Sequence, residues 1–67
     1  MSRAKQLIDE LIQKKANGDR FQASNVKMKL IFKGIIPDKI TNDTPDDDEV
    51  ISKIFEVASQ FNITLTK

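Results

Sequence analysis

Val26-Lys27-Met28-Lys29-Leu30-Ile31-Phe32-Lys33-Gly34-Ile35 is the stretch on which the fold turns. Its first five residues alternate apolar and basic side chains with a period of two, the pattern of a half-buried strand. Its last three have the pattern of a helix end instead. Gly34 suits the left-handed position just past a helix, an apolar residue follows it, and Pro37 comes soon after. Asn17-Gly18 has the same form after Lys14-Lys15. Taken together, the two glycines close helices and the two prolines stand outside helix interiors. That consistency favours a middle helix at 22–33, with Asp19 three residues before Gln22 as its start signal. A strand at 26–32 is the runner-up. It would run parallel to 62–66 across the last helix in an α/β arrangement, but two strands alone make a poor sheet.

Two further helices flank this segment. Over 3–17, Ala4, Leu7, Ile8, Leu11 and Ile12 recur at helical spacing, and Lys14 and Lys15 suit the negative end of the helix dipole. Over 46–61, Val50, Ile51, Ile54, Phe55, Val57, Ala58 and Phe61 share one arc. Thr44 is the expected N-cap there, with Pro45 at the first helical position and acidic residues through the first turn. Thr44 and Asp47 have the spacing of a capping box. Between the second and third helices, 34–45 is long and irregular, with Ile35, Ile36 and Ile40 expected to hold it to the core. The tail Ile63-Thr64-Leu65-Thr66 alternates, and it could pair as an edge strand or fray. The expected fold is all-α: a single small helical domain over 1–67, three helices with a long irregular connection before the last.

The middle helix has apolar residues on two sides. Val26 and Leu30 face one way, and Met28, Ile31, Phe32 and the following Ile35 face nearly the opposite way. An element apolar on two sides is packed on two sides. Either the isoleucine-rich connection folds back over the second side, or that side meets another protein or a second copy.

Composition narrows the chemistry. The chain has 67 residues, 39% of them hydrophobic, with no Cys, His, Tyr or Trp. A chain of this size buries only about 60% of its unfolded surface, and domains this short need staples, a partner or regular packing. Without Cys there is no disulfide framework or thiolate zinc site. No apolar run approaches the roughly 18 residues of a membrane span, and Met1 leads into no signal-peptide core. A cytoplasmic protein is expected. The net charge of +1 conceals an asymmetry: residues 1–39 sum to +5 and residues 40–67 to −4. Such segregation is a cue to charge meeting charge, within the fold or between copies.

Each candidate chemistry has a plainer account beside it. The acidic group Asp43, Asp46, Asp47, Asp48 and Glu49 fits no register of a calcium loop, since Ile40, Pro45 or Val50 falls on a ligand position. An acidic first turn complementing the helix dipole explains it. Lys27, Lys29 and Lys33 beside Phe32 could neutralise phosphates, a salt-sensitive and sequence-independent affinity. The chain has only Arg3 and Arg20 for base readout, its pI is about 8.0 rather than above roughly 9, and 34–45 is too long for a helix-turn-helix turn. Ser24, Ser52 and Ser59 have no base at useful spacing, and Gly18 and Gly34 lie too far apart for a phosphate loop. The basic, amphipathic first helix could lie on a membrane, but its apolar arc has no aromatic residue and is needed for the core.

No enzyme, cofactor, metal, membrane or small-molecule substrate is therefore expected. The expected function is a small non-enzymatic protein–protein interaction or regulatory module acting through Met28, Ile31, Phe32 and Ile35. The alternative is weak, salt-sensitive nucleic-acid binding through Lys27, Lys29 and Lys33.

Overall fold

The computed structural model describes residues 2–45 and 47–66. It is all-helical: α1 spans Arg3–Ala16, α2 Arg20–Phe32 and α3 Asp48–Gln60, with a 3-10 turn at Pro37–Lys39. Among the described residues there is no strand.

Helix α1 starts where Ser2 places its hydroxyl on the Lys5 N–H at 3.3 Å. It ends at Asn17, which adopts the left-handed conformation (φ 46°), followed by Gly18 at φ 93°. Asp19 then caps α2, its carboxylate accepting from the N–H groups of Phe21 and Gln22 at 2.8 and 3.5 Å. The anticipated start signal is real, but the helix begins at Arg20, two residues before the expected Gln22. An N-cap residue is followed at once by helical backbone, so Asp19 makes Arg20 the first residue of the helix.

The strand alternative for 26–32 is overturned, because these residues complete α2. Helical spacing carries both Val26 and Leu30 into the core, where each is fully buried. The end of α2 locks that geometry. Ile35 N–H donates to the Leu30 carbonyl and Gly34 N–H to the Ile31 carbonyl, both at 2.9 Å, with Gly34 at φ 87°. This is the Schellman pattern, which places the residue after the glycine back against the last turn. Ile35 is accordingly only 3% exposed. Its expected place on the outer face is thus wrong: the left-handed glycine reverses the chain and turns Ile35 inward.

Beyond it, Ile40 packs against the core while Ile36 remains 44% exposed. Thr44 is not the cap of α3. Its hydroxyl accepts from the Thr41 N–H at 2.8 Å and closes a local turn. Asp47 is the N-cap instead, its carboxylate accepting from the Glu49 N–H at 2.9 Å, so Pro45 lies before the helix. A short carboxylate at Asp47 competes well for this role, since Asp ranks with Ser and Asn above Thr as an N-cap. Asp46, included in the expected helix, lies outside the described residues. The far end of α3 repeats the Schellman pattern with Asn62 at φ 58° in place of glycine: Ile63 N–H donates to the Ala58 carbonyl at 2.9 Å and Asn62 N–H to that of Ser59 at 3.0 Å.

One core joins the three helices. Leu7, Ile8 and Leu11 of α1 meet Val26 and Leu30 of α2 and Ile51, Ile54 and Val57 of α3, with Ile35 added from the connection. Ile63 and Leu65 pack on its edge. The tail uses its alternation without forming a strand. Glu10 accepts from the Thr66 N–H at 2.9 Å and from its hydroxyl, and Lys14 donates to the Thr64 carbonyl at 2.6 Å. The radius of gyration is 10.7 Å, against about 11 Å for a globule of this length. Apolar groups left outside are therefore not the result of a loose fold.

Candidate functional site

Helical geometry at 3.6 residues per turn puts Phe21, Asn25, Met28 and Phe32 in one stripe at i, i+4, i+7 and i+11, with Ile31 beside it. This stripe lies opposite Val26 and Leu30, and it is open. Phe21 is 84% exposed, Phe32 75%, Ile31 54% and Met28 53%. Ile36, just past the helix, adds to the exposed apolar surface. A groove of about 220 Å³ runs beside the stripe, lined by Asn25, Met28, Lys29, Phe32 and Phe61. Phe61 is the residue that closes α3, so the groove is a joint product of two helices.

Of the four residues expected to form an interface, Met28, Ile31 and Phe32 come together here, and Ile35 does not. The connection does not cover them. After Gly34 the chain goes to the core through Ile35 and Ile40, on the other side of α2. Phe21 is the residue missed in sequence. A start at Gln22 excluded it, although stepping back seven residues from Met28 leads straight to it.

The lysines divide. Lys33 pairs with Glu56 of α3 at 3.2 Å, so its charge is partly met within the fold. Arg20, Lys27 and Lys29 make no ion pair among the described residues. On the helical wheel, Lys27 and Lys29 fall about 100° to either side of Met28. The apolar stripe thus has a basic side chain along each edge.

Elsewhere the surface offers less. A shallow depression of about 470 Å³ is lined by Phe55, Ser59, Asn62, Ile63, Thr64 and Leu65, none of them ionisable. No three acidic side chains converge among the described residues, and Asp47 is engaged as a cap. Also among the described residues, no buried side-chain nitrogen or oxygen lacks a hydrogen-bond partner. No helix there is long and apolar enough to cross a membrane. No family model, curated protein or solved structure matches this chain.

Proposed function

We propose that this protein is a small non-enzymatic interaction module whose contact surface is the outer face of α2. The observation that carries this reading is the stripe of Phe21, Met28 and Phe32 with Ile31, all four more than half exposed outside a core that joins all three helices. Single exposed apolar residues are ordinary, but a contiguous patch rimmed by polar groups marks a contact surface. Phenylalanine and methionine are also among the residues enriched at interface cores. The adjoining groove offers a recess into which a partner side chain can insert.

The test is position-dependent crosslinking in the native host. A photoreactive residue at position 28 or 32 should capture a partner that the same residue at exposed Ser52 on α3 does not. A fully folded Phe32→Asp variant should abolish the capture. Equal capture from both faces, or none from position 28 or 32, would overturn the reading.

Nucleic-acid binding is the second reading, favoured by Arg20, Lys27 and Lys29, which make no ion pair among the described residues. Counterion release makes such binding fall steeply with salt, whereas an apolar contact hardly changes. A gel shift at low salt that vanishes at high salt would support it.

A further inference from the structure

We propose that the occupant of the outer α2 face is an acidic amphipathic helix of another protein; this rests on the interface reading above. The stripe from Phe21 to Phe32 spans three turns of helix, about 16 Å. A helix laid into a groove is recognised through anchors at just such i, i+4, i+7 spacing. Length and spacing therefore match a partner helix of similar extent, with the recess beside Phe61 taking one of its anchors.

Charge selects which helix. Arg20, Lys27 and Lys29 border the stripe without ion-pair partners among the described residues, while six of the chain's carboxylates are engaged elsewhere. Asp9 pairs with Lys5, Glu10 with Lys14, Glu49 with Lys53 and Glu56 with Lys33. Asp19 and Asp47 cap helices. An incoming helix with Glu or Asp flanking its apolar stripe would complete these three cations as it covers the apolar groups, whereas like charges at the same places would be rejected.

A second copy meets only half of this requirement. Two α2 faces packed about a two-fold axis satisfy the apolar stripe but bring Arg20, Lys27 and Lys29 of both copies together. The acidic stretch 41–49 of another copy would answer the charge, but its only apolar side chain is that of Pro45. Nucleic acid likewise answers the cations and leaves Met28, Ile31 and Phe21 without a matching surface.

The experiment uses the full chain and three fluorescent probes. Two are helical peptides with leucine at i, i+4, i+7 and i+11, one flanked by glutamates and the other by lysines; the third is a single-stranded oligonucleotide. The glutamate peptide should bind at least about tenfold more tightly than the lysine peptide, equivalent to about 1.4 kcal/mol. Amide shifts should centre on residues 21–32 and on Phe61. Joint substitution Lys27→Glu and Lys29→Glu, at two exposed positions, should reverse the preference between the peptides with the fold intact. Equal binding of both peptides overturns the acidic partner but leaves the apolar interface standing. Binding of neither overturns this proposal alone, because crosslinking from positions 28 and 32 judges the interface without any peptide. Oligonucleotide binding as tight as that of the glutamate peptide, or self-association that blocks the peptide, overturns it in favour of nucleic acid or a second copy.

Discussion

Two residues with the same role at two helix ends show how backbone geometry is written into single positions. Gly34 and Asn62 both occupy left-handed backbone after a helix, at φ 87° and 58°. A Cβ placed on Gly34 would meet nothing within 4 Å, so any cost of adding one is conformational and not a matter of packing. Gly34→Ala should therefore destabilise the protein by about 1–2 kcal/mol, the cost of a left-handed L-residue. Urea unfolding measures this directly, and an unchanged midpoint would show that the turn relaxes. Asn62→Gly should act in the opposite direction. Relieving the Cβ penalty outweighs the added freedom of the unfolded chain by roughly 0.5 kcal/mol. A melting temperature higher by a few degrees would register it, since about 1 kcal/mol moves a domain of this size by some 4–8 °C. Both turns are visible in sequence to different degrees. Gly34 announces itself, while Asn62 carries a weaker signal because asparagine also favours turns and caps of other kinds.

At the level of the element, α2 is two helices in one: an inner line that belongs to the core and an outer line that does not. The two lines make opposite predictions. Leu30→Ala should cost about 2–5 kcal/mol, as for other buried leucines, because neighbours relax only partly around the cavity. Phe32→Ser should change stability by no more than about 0.5 kcal/mol, as expected of a surface position. Thermal unfolding of the pair, read by circular dichroism, checks both. Collapse of the Phe32 variant would mean that this ring supports the fold. The alternation in Val26-Lys27-Met28-Lys29-Leu30 mimics a strand because the two lines happen to be two residues out of phase, with Val26 and Leu30 inside and Met28 outside. The helix-ending glycine resolves the period. The start of α3 was less legible, since Thr44 and Asp47 are both acceptable caps and only the Thr41–Thr44 turn decides between them.

Across the whole molecule, polar side chains of α1 hold the tail that follows α3. Glu10, its side chain only 7% exposed, accepts from Thr66 and pairs with Lys14 at 2.9 Å, and Lys14 in turn holds the Thr64 carbonyl. Glu10→Ala should cost about 1–3 kcal/mol, since hydrogen bonds to a charged group are lost and their donors are released. Amide exchange at Thr66 should accelerate, and Glu10→Gln, which keeps one acceptor oxygen, should restore part of the protection. Exchange at Thr66 unaffected by Glu10→Ala would show that Ile63 and Leu65 alone hold the tail. None of this was readable from residues so far apart in the chain. The sequence by itself determined the three helices, because helical period, caps and glycines are local and agree with one another. It also determined that α2 is apolar on two sides. Only the tertiary structure decided which side is left open, because covering it depended on where the chain travels after Gly34. The Schellman turn carries Ile35 into the core, and the apolar stripe with the cations along its edges stays on the surface.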